Sequence, residues 1–519
     1  MSLFTQNVQM LMARETTPGN QVATLFSSGN AAREVINPSL TPDVEKITRD
    51  VAVPDFTKRR PSPGIRTGSL TFQMEIAGPA DGNQATEPPF GLPMQACGFV
   101  QRRLRKVGVK GFTDGEICKT GQTFLVLGSI VGTVVGTVSK VLSGSANPVD
   151  DLDDDTLYYY LALPASVDTG IADDSALVMA AQAYDATITA SGAAADAGYG
   201  YIAVSRPTTT MTIVSPGGAS MNFPKGSIIR GITSNAVGVV EETVDMAVAA
   251  SYTLKFREIH KIFGELNGSP IGGGEDITRV GSPALTTDPA LVNTATVIQD
   301  AYPTLTMAIN EDGVAKVLKG CRGEFTYEFP SGRPALANFT FQGIYTIPLD
   351  TPLFDGVAAA GAKAPKVQGV QIRLDDSFAA GGVDAIGNTK VGEVNDEWIP
   401  CPSSFSWQVS NSLNRRECFT DPTGATNFFG GDREMAGTMD PEAVIEEVFN
   451  GEFKALELTP FRFRMSYGTK GSGNSFRLVA DDASFDSFQS GDRNGIRTHD
   501  ISLRFYGVAS GDEMVMITD

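Results

Sequence analysis

The residue types that most often carry out chemistry are scarce in this chain. There are two histidines, His260 and His499, and neither can be combined with a serine or cysteine and a carboxylate as in a hydrolase triad. HExxH, Walker and GxSxG motifs are also missing from the sequence. We interpret His499, at a strand start between Thr498 and Asp500, as a residue that faces solvent or another subunit. The sequence therefore predicts no enzyme and no catalytic residues.

Metal and cofactor sites are not predicted either. The five cysteines are odd in number, widely spaced and without a CxxC pair, which argues against a disulfide framework or a zinc site. We expect Cys97 and Cys321 to be small core side chains in a reducing compartment. The acidic run from Asp150 to Asp155 lacks the spaced carboxylates and closing glutamate of a calcium loop, so we interpret it as a solvated loop. No metal or cofactor is expected.

Two glycine-bearing stretches resemble a phosphate-binding loop and a membrane helix, respectively. The stretch GSPIGGGED around Gly272 has no clear strand before it and no Lys-Ser after it, so we interpret it as a return linker. The apolar run from Thr123 to Leu142 carries glycines four apart, as in a membrane helix. It is rich in Val, Thr and Gly, however, which favours strands with glycine bends. The N-terminus is too polar for a signal peptide, and no membrane partner is expected.

The bulk composition limits the class of protein. The net charge is −19, from 60 acidic and 41 basic residues, whereas a tight nucleic-acid binder needs an excess of Lys and Arg. The 55 glycines and 29 prolines fit many short strands and turns. At 519 residues the chain suggests about three domains. We expect a mainly β protein whose acidity aids solubility or repels a polyanion.

The stretch from Pro303 to Tyr345 is the clearest structural signal. Apolar and polar residues alternate in three successive runs, which predicts antiparallel strands with one packed and one wet face. Turns are predicted at Asp312-Gly313 and at Ser331-Gly332-Arg333-Pro334. The polar face of the middle run carries Glu324, Thr326 and Glu328.

The same order of elements returns from Phe461 to Val508. A strand, a glycine turn, a long strand, a turn at Gly491-Asp492 and a final strand succeed one another. We interpret this as an internal duplication, although any two β-meanders share such a pattern. A short helix is predicted in TMDPEAVIEEVFNGE, with Asp440 as N-cap, Pro441 in the first turn and Gly451 at the end.

Shorter sequence patterns predict further strands and helical turns. Strands are predicted at Leu70–Ile76, Val367–Leu374 and Phe405–Val409, and one or two helical turns at Pro89–Val100. The basic cluster from Lys58 to Arg60 is interpreted as a solvated loop or as a contact to an acidic neighbour.

Residues 104–290 differ in composition and contain a smaller repeat. Both GFTDGEICKTGQTFLVLGSIVGTVVG and NFPKGSIIRGITSNAVGVVEE begin with Phe-x-x-Gly and continue as a short strand, a glycine turn and a Val/Gly strand. We expect two small β units within one inserted domain. The acidic run and the triplet Tyr158–Tyr160 lie between them.

These signals divide the chain into five parts. Residues 1–40 are predicted to be an N-terminal arm, either extended along a neighbour or disordered. Residues 41–103 and 291–345 are predicted to form a first module, residues 104–290 the inserted β domain, residues 346–400 a linker and residues 401–519 a second module.

Several stretches together resemble a known family. SSFSWQVSN, RRECFTDPTG, GTMDPEAV and GDRNGIRTHDISLRFYG occur in order in the second half, and SLTFQMEIAGP, PMQACGF and LKGCRGEFTYEFPSGRPALANFTFQGIY in the first. They resemble the major tail tube proteins of long-tailed, siphovirus-like bacteriophages over residues 35–103 and 295–519. The matching stretches are structural, and residues 104–290 lie outside the resemblance.

The resemblance implies a fold and a role. Tail tube modules are β-sandwiches with a flanking helix, and their sheets join around a ring into an inner barrel. Stacked rings form the channel through which the genome enters the host. The implied partners are further copies of the chain, the tape measure, terminator and distal tail proteins, and DNA that passes without specific binding. The implied location is the virion tail, after synthesis in the bacterial cytoplasm.

The repeat adds a prediction about symmetry. A ring of this kind has six modules, so a chain with two modules predicts a trimer with pseudo-sixfold symmetry, the alternative being a hexamer. An acidic lumen would repel phosphates and let DNA slide. Which acids line it is left open, with Glu324 and Glu328 as candidates.

Two other functions fit the sequence. Another β-rich virion part, such as a distal tail or decoration protein, would share the composition without forming a long tube. A binding module is the other alternative, in which the inserted domain with its tyrosine triplet recognises cell-surface glycans.

Overall fold

The fold is known from a computed structural model of the whole chain. It describes residues 8–15, 18–26, 32–48, 60–78, 87–110, 123–126, 130–138, 156–163, 175–179, 182–189, 197–203, 209–214, 221–224, 226–231, 237–240, 244–246, 251–260, 265–266, 269–270, 275–280, 292–299, 303–346, 348–351, 363–376, 400–418, 421, 423–444, 451–469, 474–507 and 513–518. Two compact units emerge, Met1–Ser205 with Pro303–Asp519, and Arg206–Tyr302.

The protein is mainly antiparallel β, as the sequence predicted, with two short α-helices in the described residues. Up to residue 205 the strands are β1 (Val8–Arg14), β2 (Ala32–Arg33), β3 (Ile36–Ile47), β4 (Ser62–Glu75), β5 (Phe99–Lys110), β6 (Thr123–Val126), β7 (Ile130–Val138), β8 (Thr156–Leu163), β9 (Ser175–Met179), β10 (Gln182–Thr189) and β11 (Ala197–Ala203). The helices are α1 (Gly91–Ala96) and α2 (Gly451–Leu456), and a 3-10 turn covers Ala23–Phe26.

In the unit Arg206–Tyr302 the described residues form ten strands. They are β12 (Thr209–Val214), β13 (Met221–Phe223), β14 (Ile228–Gly231), β15 (Val237–Val240), β16 (Val244–Met246), β17 (Ser251–His260), β18 (Glu265–Leu266), β19 (Ser269–Pro270), β20 (Glu275–Val280) and β21 (Val292–Gln299).

The remaining strands follow residue 302. They are β22 (Leu305–Glu311), β23 (Val314–Pro330), β24 (Leu336–Tyr345), β25 (Leu349–Asp350), β26 (Gln371–Asp376), β27 (Pro402–Ser410), β28 (Asn414–Glu417), β29 (Ala425–Phe429), β30 (Glu434–Pro441), β31 (Phe461–Thr469), β32 (Asn474–Arg493), β33 (Ile496–Phe505) and β34 (Val515–Thr518).

The central meander forms as its alternation predicted. Strands β22, β23 and β24 pair in sequence, and in β23 and β24 the apolar positions are buried while most polar ones are partly exposed. The predicted wet face was wrong for β22, whose Thr306 and Asn310 are buried, because Leu11 and Leu25 from the N-terminal residues pack on that side against Ala308. The first turn places Asp312 at φ 49° and Gly313 at φ 100°, the left-handed conformation that a tight hairpin requires at both central positions.

Eight strands form one continuous antiparallel row, in the order β3–β4–β24–β23–β27–β30–β33–β32. One row of side chains across it is apolar: Met74, Ala337, Tyr327, Trp407, Gly437, Leu503 and Phe485. All of these residues belong to or border one large core that also contains residues from α1 and β31. The packed face of the row therefore runs through both halves of the chain.

The two halves of this row repeat the same topology. In the first half β3 pairs β4, a helix follows, and the meander β22–β23–β24 returns to pair β24 with β4. In the second half β27 pairs β30, α2 follows, and the meander β31–β32–β33 returns to pair β33 with β30. Each meander also contains a register shift where its first two strands pair. The repeat predicted from the meanders thus extends to the hairpins before them.

A second repeat lies between β4 and β22. The unit Arg206–Tyr302 contains a closed barrel in the order β12–β17–β15–β14–β20–β21. Upstream, the pairings of β5–β8–β7–β6–β9–β10 close a cycle with the same order of strands along the chain. The two glycine-rich units of the sequence correspond to β6–β7 and β14–β15, which pair as hairpins in both cycles. The apolar run at Thr123–Leu142 accordingly contains strands.

The first cycle is continuous with the main sheet. Strand β5 pairs β11, β11 pairs β34, and β34 pairs β32. Tyr201 and Ala203 of β11 are fully buried in the large core. The compact unit begins at Arg206, so it differs from the predicted inserted domain, 104–290.

Some local predictions were wrong. Asp440 and Pro441 end strand β30 instead of starting a helix, and α2 begins at Gly451, the predicted helix end. The turn predicted at Gly491-Asp492 lies at Asn494-Gly495, with φ 54° and 84°. Of the predicted linker around Gly272, residues 271–274 lie outside the described residues, and barrel strand β20 begins at Glu275.

Other predictions agree with the structure or lie outside it. The helical turns predicted within Pro89–Val100 contain α1, and the strand predicted at Val367–Leu374 overlaps β26. The tyrosine triplet lies in β8. The predicted acidic loop, and the basic cluster except Arg60, are outside the described residues.

Candidate assembly interface

The two modules meet at a seam where β23 pairs β27. Phe325 lies opposite Val409, Tyr327 opposite Trp407, and Phe329 opposite Phe405. The rings are in contact, with centroids of Tyr327 and Trp407 5.3 Å apart and those of Phe329 and Phe405 5.7 Å apart. Burial raises the pKa of the Tyr327 hydroxyl well above its usual value. The seam is therefore an aromatic part of the core, and the modules do not behave as loosely tethered domains.

Backbone hydrogen bonds fix which residues of β27 face the seam. The N–H of Ser331 donates to the carbonyl of Ser403 at 3.1 Å. Because alternate residues of a strand direct N–H and C=O to the same neighbour, Phe405, Trp407 and Val409 point their backbone groups at β23.

The hairpin β28–β29 of the second module docks onto the first. Lys319 on β23 contacts Asp421 at 3.4 Å, and both side chains are 15% exposed. Burial opposes ionisation of Asp421, but hydrogen bonds from Thr423 and the nearby lysine outweigh it and lower its pKa. Gly320 admits the hairpin backbone, because a Cβ there would lie 2.7 Å from the Cα of Asn427.

A buried amide strengthens this docking. The side-chain Nδ2 of Asn411 donates to the carbonyl of Cys97 at 2.8 Å and to that of Gly323 at 2.7 Å. Both acceptors belong to the first module, and Asn411 is 8% exposed. The amide therefore satisfies two backbone carbonyls that the seam would otherwise bury without partners.

The outer ends of the eight-stranded row are open. Among the described residues no strand pairs with the side of β3 that faces away from β4, or with residues 486–493 of β32 on the side away from β33. Of the twelve residues of β3 only Leu40 is buried. Ile36, Val44 and Ile47 are 38%, 37% and 51% exposed. These two edges are the unpaired counterparts of the seam.

The other face of the row is polar. Side chains that lie in register on it include Glu75, Gln73, Asn338, Thr326, Glu328, Ser406, Gln408, Thr438 and Ser502. Arg504 on this face contacts Glu434 at 2.8 Å and Asp486 at 3.1 Å. Arg493 contacts Asp440 at 3.2 Å and Glu442 at 3.1 Å. The cationic groups of these two arginines are thus engaged by carboxylates. The predicted candidates Glu324, Thr326 and Glu328 all belong to this face.

Asp440, predicted as a helix cap, braces β27 instead. Its carboxylate accepts hydrogen bonds from the N–H groups of Ser403 and Ser404 at 3.0 and 3.1 Å. Burial alone would raise its pKa, but these bonds, the Ser403 hydroxyl and Arg493 outweigh burial and lower the pKa. The ionised carboxylate therefore stabilises the second hairpin.

The N-terminal strand is held by a buried carboxylate that the sequence did not single out. Glu15 is 5% exposed and accepts hydrogen bonds from the hydroxyls of Thr304 and Thr306 and the N–H groups of Gly19 and Gly320. Strand β1 pairs β22 over its whole length. Residues 8–15 of the predicted arm thus belong to the first module's sheet.

Three of the residues considered for chemistry belong to different elements, His499 to β33, Cys321 to β23 and Cys97 to the end of α1. His499 is 9% exposed, so the expectation that it faces solvent was wrong; its ring lies 4.5 Å from that of Phe488. Burial and Arg497 lower the pKa of His499, with Glu452 opposing them. Cys97 and Cys321 are fully buried, as predicted. In the described part of the chain, no cluster of three or more His, Cys, Asp or Glu is arranged for a metal.

Neither helix in the described ranges has the length and apolar character that crossing a membrane requires. No protein-family model matches the sequence, and no curated protein matches it.

Proposed function

We propose that the chain is a structural virion protein that polymerises as stacked rings into a phage tail tube. The observation that carries the proposal is the eight-stranded row, in which one module continues into the next through a fully formed seam while both outer edges stay open. An unpaired strand edge is a template for another chain, and closing the sheet into a ring removes it. The resemblance to tail tube proteins supplies the biological setting.

Three copies give a channel of suitable size. Three rows of eight strands make twenty-four, and strands about 4.8 Å apart and tilted by about 40° give a barrel with a backbone diameter of roughly 48 Å. After side chains are added, this leaves room for duplex DNA. The repeat supports a trimer with pseudo-sixfold symmetry over a hexamer, because each chain already supplies two modules.

The polar face is the proposed lumen. It carries hydroxyl, amide and carboxylate groups, and two of its arginines, Arg493 and Arg504, are bound to carboxylates. A guanidinium that is already bound to a carboxylate attracts phosphates less, which favours the passage of DNA without binding. The net charge of −19 has the same sign as the genome.

Electron microscopy of the concentrated full-length chain tests the proposal. Rings or tubes with a central channel and threefold symmetry are expected. Strict sixfold rings would keep the tube and overturn the count of two modules per subunit. Particles that never associate, even when mixed with a tail tip complex as nucleus, would overturn the tube.

A surface-binding role for the inserted region is the second candidate, favoured by the two six-stranded cycles that interrupt the first module. Removing Arg206–Tyr302 and bridging Ser205 to Pro303 with a Gly-Ser linker leaves the large core complete, since Tyr201 and Ala203 remain. Tubes are expected to form without this unit. Tubes that form but no longer attach to cells would assign attachment to it, whereas loss of all assembly would make the unit part of the tube.

A further inference from the structure

The repeat allows the internal seam to be transferred onto the outer edges residue by residue. In the first hairpin Leu40 pairs Leu70 and Ile47 pairs Ser62; in the second Trp407 pairs Gly437 and Asn414 pairs Phe429. Each of these four residues in the second hairpin lies 367 positions after its counterpart in the first hairpin. The register shifts also recur, between Ile36 and Ser39 and between Pro402 and Phe405. Strands β3 and β27 are therefore equivalent position by position.

The meanders align equally well. Phe341 pairs Leu70 in the first module, and Leu503 pairs Gly437 in the second, so β33 positions lie 162 after those of β24. Phe325 lies opposite Phe339, and Phe488 opposite Ile501. Because Ile501 is the counterpart of Phe339, Phe488 is the counterpart of Phe325. A register shift between Phe485 and Ser487 adds one residue to the spacing at this point.

We infer that β3 of a second copy of this chain adds antiparallel to residues 488–492 of β32, with Gln489 opposite Thr41 and Ser490 opposite Leu40. The pairing repeats the seam, in which Thr326 lies opposite Gln408 and Tyr327 opposite Trp407. The inference deepens the proposed function and rests on it, since it names the strands and the register by which subunits close a ring.

The side chains at this junction explain why the edges stay soluble before assembly. The residues of β3 that face the partner are the counterparts of Phe405, Trp407 and Val409, namely Pro38, Leu40 and Pro42. Two of the three lack an N–H, so a free β3 edge is a poor template for unrelated strands but still offers its carbonyls. The junction has fewer hydrogen bonds and fewer aromatic rings than the seam and is accordingly reversible.

A charge pair accompanies the strand pair. Gly320 of the first module lies against Asn427 of the docked hairpin β28–β29. In the repeat, the counterpart of Gly320 is Asp482 and the counterpart of Asn427 is Arg60. Within one chain, Gly320 lies against the backbone of the hairpin. At the junction between copies, the equivalent positions bring the carboxylate of Asp482 toward the exposed Arg60 of the other copy. A carboxylate needs more room than a glycine, and the long arginine side chain spans that distance. Asp482 of the next copy thus becomes the acidic neighbour that one interpretation of the basic cluster requires.

Cysteine cross-linking tests the register. Thr41→Cys and Gln489→Cys are introduced together in a chain whose Cys118, Cys401 and Cys418 are serine. The pair is of the type without direct backbone bonds, where Cα atoms lie about 4.5 Å apart, a distance that a disulfide can span. Oxidised glutathione added to the assembled protein is expected to give a covalent ladder ending at three chains. The control, Asp43→Cys with Gln489→Cys, moves the first thiol about 7 Å along the exposed strand β3 and gives at least tenfold less cross-linked product.

The outcomes separate the interface from the function. Tubes that form without a cross-link in the designed pair, or with equal cross-linking in the control, would overturn the register and leave the tube standing. Cross-linked oligomers that never form rings or tubes would support the interface and overturn the tube.

A charge exchange provides a second readout. Asp482→Arg and Arg60→Asp are each expected to raise the concentration needed for assembly at least tenfold, and the double variant to restore it. Circular dichroism of the unassembled chains controls for folding, as both positions are at least partly exposed. No rescue in the double variant, with all chains folded, would refute the charge pair.

Discussion

The seam between the modules and the outer edges of the same sheet occupy equivalent positions in the repeat but have different side chains. At the seam Tyr327 meets Trp407 inside the core, and Asn411 is buried against two carbonyls. At the edges the counterparts are Ser490, Leu40 and Val44, and β3 is mostly exposed. A contact that forms once, within one chain, can be apolar, whereas a contact that must stay open until assembly has to remain soluble.

The largest expected effect compares Trp407 with Leu40. Trp407→Ala removes a fully buried ring at the seam and is expected to lower the free energy of unfolding by about 3–5 kcal/mol. Leu40→Ala, at the equivalent position of the open edge, is expected to cost about 2 kcal/mol because fewer neighbours surround it. Urea unfolding of the unassembled chains measures both.

When the concentration needed for assembly is measured instead of unfolding, Leu40→Ala is expected to have the larger effect of the two variants. Leu40→Ala weakens the proposed contact to the next copy and raises the concentration needed for rings. Equal destabilisation of the folded chain by both variants would mean that the edge is already covered in the single chain, which would remove the contrast with the seam.

A medium effect is expected at Asn411. Asn411→Ala leaves the carbonyls of Cys97 and Gly323 without their donor and should cost about 1–3 kcal/mol. Its counterpart Val44 is 37% exposed, and Val44→Ala should change unfolding by less than about 0.5 kcal/mol. Thermal melting of the two variants side by side checks the pair. A Val44→Ala loss as large as that of Asn411→Ala would contradict an exposed edge in the unassembled chain.

The sequence predicted those parts of the fold that depend on neighbouring residues. The alternation of apolar and polar residues predicted β22, β23 and β24, and the Asp312-Gly313 pair predicted the turn between β22 and β23. Both predictions were possible because side-chain period and positive φ are local properties. Asn494-Gly495, where the second meander turns, carries a local signal as strong as that of Gly491-Asp492, the predicted turn. Two small glycine-rich repeats correctly pointed to two similar β units.

The features that the sequence did not predict correctly depend on pairing between distant parts of the chain. Asp440-Pro441 has the local signature of a helix start, yet strand pairing of β30 with β27 and β33 overrides it. The equivalence of Leu40 with Trp407 is invisible in the sequence because the residue types differ, and only the pairing registers reveal it. The role of Glu15 depends on Thr304 and Thr306, almost 300 residues away, and no local pattern indicates it.

The smallest expected effect is a pH dependence confined to the second hairpin. The folded state lowers the pKa of Asp440, so the unfolded chain takes up a proton at a higher pH than the folded chain. Its contribution to stability is therefore complete above the ordinary carboxyl pKa of about 3.9 and is lost as the pH falls through the lower pKa of the folded state. Asp440→Asn should remove this part of the acid sensitivity, which lies below about pH 4. The counterpart in the first hairpin is Gln73, which does not titrate, so Gln73→Asn is the matched control and should leave the pH profile of unfolding unchanged. If the Asp440→Asn chain retained the full acid sensitivity of the original, the carboxylate would not be bracing β27, and the difference between the two hairpins at this position would have no energetic consequence.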